Sequence, residues 1–283
     1  DVPGGASSGR LVTPVIEGTE SLPSFSAQPR ADDEQRTEAY GSREAAGLPA
    51  PFTLDAALRA KLLSVPVAGL SAQLRKRGLN AVTIDGVHAN RPGTKLVGLA
   101  KTLRFVPARE DLFASHGGGY NAQKRTFDTV RPGEVIVIEA RGELGSGTLG
   151  DVLALRALTR GAAGIVTDGG VRDYDTVAGI DIPVFSGGPH PAVLGRRHVP
   201  WDADITIGCG GTTVQPGDVI VGDGDGVIVI PPGLAEEIAD AALAQEDEDA
   251  FVAEQVRAGH AVDGLFPMND EWKARYLAWR AAQ

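Results

Sequence analysis

Residues 135–167, VIVIEARGELGSGTLGDVLALRALTRGAAGIVT, carry the pattern that decides the fold of this chain. The runs 135–140 and 164–167 are short and rich in valine or isoleucine, which is typical of strands, and residues 150–160 between them have helical spacing. A strand, a helix and a second strand in this order form a βαβ unit, whose two strands are parallel. The sequence therefore predicts an α/β protein with mixed β-sheets and flanking helices.

The sequence on either side of this unit adds further elements. Leucines at helical spacing predict a helix over residues 54–63 after Thr53, which we expect to be its N-cap, and a shorter helix is predicted over 71–77. Residues 96–106 largely alternate between apolar and small or polar side chains, which predicts a strand. A long helix is expected over about 234–257, with glutamates in its first turn, where the helix dipole favours negative charge.

Two segments repeat the same pattern of a turn followed by a strand. RPGEVIVIE begins at Arg131, and QPGDVIVGD begins at Gln215. A proline followed by a glycine suits a type II turn, because proline fixes φ and glycine accepts the positive φ that this turn requires. We therefore expect each segment to be a turn that leads into a strand, and we expect the DGDG run at 223–226 to form a tight hairpin.

The composition limits the classes of function. The chain has 283 residues, with 27 lysines and arginines against 37 aspartates and glutamates, which gives a formal charge of -10. This charge argues against nucleic-acid binding, which needs a basic side chain for each phosphate contact. Cys209 is the only cysteine and the five histidines lack the spacing of zinc ligands, so neither disulfides nor a zinc site are expected. No apolar run is long enough to cross a membrane, and we expect a cytoplasmic protein.

Three segments of the chain differ in composition. Residues 1–52 are rich in glycine, proline, serine and charge, which predicts an N-terminal extension with little core of its own. Residues 53–266 carry the patterns of one folded domain, and residues 267–283 are predicted to be a helical tail. The tail has three aromatic residues at the spacing of one helix face, Trp272, Tyr276 and Trp279. We expect this face to dock on a neighbouring subunit rather than on the chain's own core.

Residues 145–150, GSGTLG, match the glycine pattern of a dinucleotide-binding loop. They follow a strand and open a helix, and Asp168 lies 18 residues after Gly150, at the end of the next strand. Two details weigh against a nucleotide. Four residues separate the strand from Gly145, and Asp151 places a negative charge where the pyrophosphate would bind.

The same helix start suits a smaller anion. The N–H groups of Gly150, Asp151, Val152 and Leu153 have no partner within the helix and point out of its start, so they can bind one carboxylate group. The side chain of Asp151 can turn outward to a metal-bound water or to a hydroxyl group of a substrate. The alternative is that Asp151 only caps or decorates the helix.

A second group of candidate residues follows the strand at 164–167. In the run DGGVRD at 168–173, the two glycines allow a sharp turn, and Arg172 and Asp173 are adjacent. A permanently charged guanidinium beside a carboxylate suits a 2-oxo acid that is held on Mg²⁺ or Mn²⁺. The alternative is a surface ion pair that stabilises the turn by about 0.5 kcal/mol.

Four segments together resemble one known family: GDVL at 150–153, RGAAGIVTDGGVRD at 160–173, IPVF at 182–185 and PGDVIVGDGDGVIVIP at 216–231. This family contains the 4-hydroxy-4-methyl-2-oxoglutarate aldolases and the regulator of ribonuclease activity A, and many members are mislabelled demethylmenaquinone methyltransferases. The resemblance covers about residues 55–265. It implies a compact α/β core similar to the swivelling phosphohistidine domain, assembled as trimers or hexamers with sites between subunits.

The resemblance also implies a metal site. The aspartate that matches Asp173 holds the divalent cation, Mg²⁺ or Mn²⁺, largely through water molecules, and the aspartate that matches Asp151 lies beside those waters. A glutamate from the C-terminal helix of the neighbouring subunit contributes to the same site in the family. Our candidates for that glutamate are Glu246 and Glu248, although no fixed motif aligns them.

For the substrate, the resemblance implies that Arg172 contacts bound pyruvate and that the helix-start amides of Val152 and Leu153 receive its carboxylate. The expected function is a metal-dependent class II-type aldolase that cleaves a 4-hydroxy-2-oxo acid, releases pyruvate and also decarboxylates oxaloacetate. The alternative is a non-catalytic regulator that binds a ribonuclease through its acidic surface. The expected partners are a small 2-oxo acid and further copies of this chain, without nucleic acid or membrane.

Overall fold

A mixed sheet of nine strands organises residues 52–283, the part of the chain that the computed structural model describes. The predicted N-terminal extension, residues 1–52, lies outside these described residues except for Phe52. In chain order the strands are β1 (Thr83–Ile84), β2 (His88–Ala89), β3 (Leu96–Pro107), β4 (Glu134–Glu139), β5 (Gly164–Val171), β6 (Val184–Pro189), β7 (His198–Ala203), β8 (Ile207–Cys209), β9 (Thr212–Val214), β10 (Val219–Asp223) and β11 (Gly226–Ile230).

The centre of the sheet is parallel. Its strands follow the order β1-β11-β10-β3-β4-β5-β6-β2, and β7 pairs with the second half of β3. The pairs β3–β4, β4–β5 and β5–β6 are parallel, whereas the flanking pairs are antiparallel, and β8 and β9 form a separate hairpin. The predicted βαβ unit is therefore confirmed as β4, the helix after it and β5, and the mixed α/β fold is confirmed with it.

Seven α-helices of six or more residues lie in residues 52–283: α1 (Ala56–Ser64), α2 (Val67–Lys76), α3 (Ala122–Thr129), α4 (Asp151–Thr159), α5 (Tyr174–Gly179), α6 (Ala235–Arg257) and α7 (Asp270–Ala281). Alternation along β3 separates the two faces of the sheet. Val97 packs with α1, α2 and α6, and Leu103 packs with α3, α4 and α5, whereas Ala100 contributes to the core on the other face, beside the β8–β9 hairpin. None of these helices is long and apolar enough to cross a membrane.

The first two helices differ in detail from the sequence prediction. Asp55, rather than Thr53, is the N-cap of α1, because its Oδ1 accepts a hydrogen bond from the Leu58 N–H at 2.8 Å. The second helix begins at Val67 instead of 71. Pro66 lies before it at the N-cap, where the missing N–H of proline is not needed.

The two Pro-Gly segments form the same turn, as the sequence predicts. Gly133 and Gly217 have φ values of 82° and 88°, and each turn is closed by a hydrogen bond between the residues that flank the Pro-Gly pair. The two turns lie on opposite edges of β3, where the Leu99 N–H donates to Gly133 O and the Ala100 N–H donates to Asp218 O. The hairpin at 223–226 is confirmed as the connection between β10 and β11.

The C-terminal tail packs on its own chain. Tyr276 is buried, and its ring centroid lies 5.7 Å from that of Phe251 on α6. The indole N–H of Trp279 donates to Glu254 Oε2 on the same helix at 3.0 Å. The expectation that this aromatic face docks on a neighbouring subunit is therefore wrong for Tyr276, because Phe251 of the same chain already covers it.

Candidate active site

A cleft of about 240 Å³ opens at the start of α4. The loop before α4, the first turn of α4, the turn after β5 and two neighbouring segments surround it. Its lining residues are Gln123, Gly147, Thr148, Leu149, Gly150, Asp151, Val152, Leu153, Arg172, Asp173 and Leu194. The cleft thus brings together the two groups of residues that the sequence marks as candidates, the helix start and the Arg-Asp pair.

The glycine-rich loop is held against the end of β5 by backbone hydrogen bonds. Gly147 and Gly170 form a parallel bridge, the Thr148 N–H donates to Gly170 O at 2.7 Å, and the Arg172 N–H donates to Leu149 O at 2.9 Å. A methyl group on Gly170 would lie 2.8 Å from Ser146 O. The glycines therefore serve close backbone contact, and this packing accounts for the pattern that resembles a dinucleotide fingerprint.

The segment at 168–170 is extended, which corrects the sequence prediction. The sequence predicts that the two glycines turn the chain, but β5 continues to Val171 with an irregular register between Thr167 and Gly170. The turn comes later, at Asp173, whose φ and ψ are 51° and 41°. A left-handed backbone is unusual for a residue other than glycine, although aspartate tolerates it better than most, and such residues concentrate at functional sites.

Arg172 is one of the residues that line the cleft. Its aliphatic carbons pack on Gly147, where no side chain stands in the way, and its Nε is buried without an acceptor among residues 52–283. A buried N–H donor without a partner is destabilising by about 1–3 kcal/mol, so the position of this side chain costs stability.

Asp173 lies beside the helix start. A methyl group on Gly150 would lie only 2.8 Å from Asp173 Oδ2, so the carboxylate is next to this glycine. The side chain of Asp173 is exposed and makes no capping bond to α5. The ion pairs of residues 52–283 include neither Arg172 nor Asp173, so the alternative of a surface ion pair between these neighbours is not what the structure has.

The side chain of Asp151 occupies one of the N–H donors that the sequence predicts to bind an anion. Its Oδ1 accepts a hydrogen bond from the Val152 N–H at 2.8 Å, so this amide is not free, in contrast to the sequence prediction. The N–H groups of Asp151 and Leu153 have no acceptor recorded within residues 52–283. An incoming carboxylate can replace Asp151 Oδ1 at this helix start, because both are anions that bind the same donors.

The donor set fits a hydrated divalent cation. In residues 52–283 no three histidine, cysteine, aspartate or glutamate side chains come close enough to form a complete metal site. Asp151 and Asp173 supply two carboxylates to one cleft, and Mg²⁺ is commonly held by one or two carboxylates while it keeps several water ligands. The fit therefore requires water or substrate oxygens, or a ligand from another subunit.

Glu246 and Glu248 belong to a different part of the chain. Both lie on α6, which packs on α1 and α2, away from the helices that frame the cleft. Glu246 Oε1 faces Gly69 on α2, and burial raises the pKa of this carboxyl group. Glu248 is exposed beside a groove between α2, α6 and α7. Within one chain neither glutamate joins Asp173, and a contribution across subunits stays a prediction.

Asp168, the residue that would bind a ribose in the dinucleotide interpretation, has a structural role. Its carboxylate accepts hydrogen bonds from three backbone N–H groups, those of Ala140, Gly142 and Gly210, at 2.5, 2.9 and 3.2 Å. It is buried and fixes the chain between β4 and the glycine-rich loop. Three backbone donors occupy three of the roughly four acceptor sites of this carboxylate, which leaves too few for the two hydroxyl groups of a ribose and weighs against the dinucleotide interpretation.

Two residues of the cleft, Gln123 and Leu194, lie outside the segments that the sequence marks as candidates. Gln123 lies on α3, far from the motifs along the chain, and its Nε2 donates to Thr148 O at 2.5 Å. Thr148 donates its hydroxyl to Gly170 O at 2.9 Å, and Leu194 lies in a short 3₁₀ turn. Nothing in the composition or spacing around Gln123 or Leu194 indicates a site, because each reaches the cleft only through packing between segments that are far apart along the chain.

A family model described as RraA-like, Aldolase/RraA, matches residues 67–229, which is more than half of the chain and includes the whole cleft. This chain belongs to the RraA-like family. The family resemblance stated from the sequence is thereby confirmed, and the matched range contains Asp151, Arg172 and Asp173.

Relatives in this family have names of two kinds. A protein of Halalkalibacterium halodurans, provisionally named 4-hydroxy-4-methyl-2-oxoglutarate aldolase, is 36% identical over 143 residues, which are 50% of this chain and 67% of that protein. A protein of Ectopseudomonas mendocina with the same provisional name is 33% identical over 146 residues, covering 46% and 90%. The crystal structure of Streptomyces coelicolor RraAS2, described as an unusual member of the RNase ES inhibitor RraA protein family, is 34% identical with a TM-score of 0.65, covering 72% and 98%.

The match to the Streptomyces coelicolor structure shows that the similarity includes the fold. The mixed sheet with flanking helices is common to both chains. The likeness of this core to the swivelling phosphohistidine domain stays a prediction.

Proposed function

We propose that this chain is a divalent-metal-dependent aldolase of the class II type, which cleaves a 4-hydroxy-2-oxo acid and releases pyruvate. The same site would decarboxylate oxaloacetate, because both reactions place negative charge on the oxygen of a 2-oxo group. The observation that carries the proposal is the cleft at the start of α4, which brings Arg172, Asp151 and Asp173 together.

The start of α4 is the anchor for the substrate carboxylate in this proposal. The N–H groups of Asp151 and Leu153 are available, and the Val152 N–H joins them when Asp151 Oδ1 turns away. A helix start carries partial positive charge and unpaired donors, so it binds an anion without a further basic side chain. A 2-oxo acid anchored there would direct its 2-oxo group towards the neighbouring Arg172.

The cleavage step breaks the bond between C3 and C4. The 4-hydroxyl group loses its proton and becomes a carbonyl oxygen, while the electron pair of the broken bond moves to C3 and the 2-oxo oxygen. Arg172 donates hydrogen bonds to that oxygen as its negative charge develops, which lowers the energy of the transition state. A proton returned to C3 completes pyruvate, and Asp151 can hold or move this proton at its unbonded Oδ2.

Mg²⁺ or Mn²⁺ would add Lewis-acid polarisation of the same 2-oxo oxygen when it is bound. Asp173 is the ligand we assign to it, with Asp151 acting through water. A glutamate from a neighbouring subunit would complete the site, which implies a homo-oligomer, a trimer or a hexamer. Of the two candidates we favour Glu248, because Glu246 is half-buried against α2 whereas the Glu248 carboxylate is exposed.

A regulator of a ribonuclease is the second candidate function. The net charge of -10 and the relative described as a ribonuclease inhibitor family member favour it. Three acids of α6 already pair with basic side chains of the same chain, namely Asp240 with Lys61, Glu237 with Arg77 and Asp247 with Arg280. These pairs reduce the negative charge that α6 can offer to a basic partner, so we place the regulator second.

The test is a coupled assay of pyruvate release from a panel of 4-hydroxy-2-oxo acids and from oxaloacetate, with Mg²⁺, Mn²⁺ or EDTA. We expect pyruvate from at least one 4-hydroxy-2-oxo acid, loss of the activity in EDTA and its return with excess Mg²⁺ or Mn²⁺. A folded protein that releases no pyruvate with either metal would refute the aldolase. If it also inhibits an RNase ES-type ribonuclease, the regulator takes its place.

A further inference from the structure

Gln123 is a buried polar side chain in the wall of the cleft. It is the second residue of α3, after Asn121, whose side chain caps this helix, and only 7% of Gln123 is exposed. A glutamine so deeply buried needs partners for both ends of its amide. Residues 52–283 supply a partner for one end only.

The orientation of the Gln123 amide follows from the partner that it has. Its neighbour at 2.5 Å is the carbonyl oxygen of Thr148, which can only accept a hydrogen bond. The amide nitrogen must therefore face Thr148, and Oε1 must be the atom at the other end. No donor of residues 52–283 is bonded to Oε1, and Gln123 lines the cleft.

An amide oxygen without a hydrogen-bond donor favours a ligand group that can donate a hydrogen bond to it. A 4-hydroxy-2-oxo acid carries two kinds of polar group that only accept at neutral pH, its carboxylates and its 2-oxo group. Its hydroxyl group is the one part that can donate a hydrogen bond. The helix start and Arg172 are both donors and take the accepting end of the molecule, which leaves the hydroxyl for the acceptor in the cleft.

We propose that Gln123 is a specificity-determining residue whose Oε1 accepts a hydrogen bond from the 4-hydroxyl group of the substrate. The proposal rests on the aldolase function proposed above and deepens it. Gln123 would fix the direction of the hydroxyl without removing its proton, because an amide is not a base at neutral pH. A 2-oxo acid without this hydroxyl would leave Oε1 unpaired, and the site would bind it less well.

The experiment compares Gln123→Met with the parent protein. Methionine has a similar length and fills the space, but it lacks a strong acceptor. We measure kcat/KM for cleavage of 4-hydroxy-2-oxoglutarate and the inhibition constant of pyruvate, which has the same anchoring groups and no 4-hydroxyl. We expect kcat/KM to fall about 10- to 100-fold, whereas the inhibition constant of pyruvate stays within about threefold. Thr129→Met, an exposed site on α3, controls for a methionine on this helix.

Other outcomes overturn the assignment of Gln123. If kcat/KM and pyruvate binding fall together, Gln123 only supports Thr148, and if neither changes, Oε1 does not touch the substrate. In both cases the parent is still an aldolase, so the proposed function stands. If the parent itself cleaves no 4-hydroxy-2-oxo acid, the proposed function fails and the hydroxyl contact fails with it.

Discussion

Asp168 and Asp173 lie at the two ends of one six-residue run, and their carboxylates have opposite surroundings. Asp168 is buried within β5, where three backbone N–H groups bind its oxygens. Asp173 follows the strand in a left-handed conformation, with an exposed carboxylate that makes no capping hydrogen bond to α5. A carboxylate that is hydrogen-bonded inside the fold contributes stability, whereas one that is held in place with its oxygens exposed can bind a ligand.

The difference shows how the site is positioned. Asp168 fixes the chain after β4, which leads into the glycine-rich loop, and that loop is in turn bonded to the end of β5. Arg172 and Asp173 therefore follow a strand that is fixed in two ways, by the hydrogen bonds of Asp168 and by the backbone bonds to the glycine-rich loop. We expect the same chemical change at the two aspartates to have separate effects.

Asp173→Asn should have the largest effect on activity. Asparagine tolerates the left-handed backbone at φ 51°, so the fold should remain, but the negative charge that we assign to the metal is lost. We expect kcat/KM for pyruvate release to fall at least about 1000-fold, equivalent to about 4 kcal/mol, with the free energy of unfolding within about 0.5 kcal/mol. Asp181→Asn, at an exposed aspartate that follows α5, is the control. Turnover within tenfold of the parent would remove Asp173 from the metal site.

Asp168→Asn should act on stability instead. The new amide turns an N–H₂ group towards backbone N–H donors, so at least one of the three hydrogen bonds is lost and the others lose their charge. We expect the free energy of unfolding, measured with urea, to fall by about 3 kcal/mol. An unchanged midpoint and slope would mean that the loop after β4 does not depend on this carboxylate, and the comparison with Asp173 would collapse.

The contrast between the two aspartates also marks what the sequence can predict. The βαβ unit, the twin turns and the long acidic helix follow from local periodicity and turn chemistry, and each is confirmed. The roles within the run 168–173 depend on contacts with residues far along the chain, such as Gly210. Because the sequence does not contain these distances, it predicts one turn for the whole run, although the first half of the run is strand.

The cleft shows the same limit. Arg172 and the helix start can be found from the sequence because they form adjacent motifs, whereas Gln123 comes from a helix with no motif at all. The hydrogen bond from the Val152 N–H to Asp151 Oδ1 depends on the rotamer of Asp151, which residue spacing does not predict.

Arg172→Lys tests whether the end of the run needs a directed donor or only a positive charge. An ammonium group on a flexible stem cannot place two hydrogen bonds in the plane of a carboxylate or a 2-oxo group as a guanidinium can. We expect a loss of about 2–3 kcal/mol in transition-state stabilisation, which is about a hundredfold in kcat/KM. Arg156→Lys on the outer face of α4, where the arginine pairs with Asp128, is the matched control. An Arg172→Lys variant within twofold of the parent would show that Arg172 is structural.

The smallest expected effect is a change in the free energy of unfolding with pH, in the region that Asp168 stabilises. Arg141, in the chain that Asp168 fixes, lies beside the buried His198, and burial together with the Arg141 charge lowers the pKa of His198 from 6.5 to about 4. The folded state therefore resists protonation that the unfolded chain accepts, so stability is complete above pH 6.5 and falls as the pH drops towards 4. We expect a loss of about 1 kcal/mol between about pH 7.5 and 5.5 in urea unfolding.

His198→Gln should remove that part of the acid loss, because glutamine does not titrate. The double difference between the two proteins at the two pH values isolates His198 from the other titratable groups. An identical acid loss in both proteins would assign the pH dependence to those other groups.

The two Pro-Gly turns have the same geometry, but the strands that follow them should pair with β3 at different stages of folding. The turn at Gly133 starts β4, whose first residue pairs with Leu99 only 35 positions earlier, whereas β10 pairs with the same Leu99 from 120 positions away. Closing the shorter loop loses less entropy, so the β3–β4 pair should form early and β10 should join late. Replacing Gly133 should therefore slow refolding, and replacing Gly217 should mainly speed unfolding. Two turns of the same geometry would then affect different rate constants.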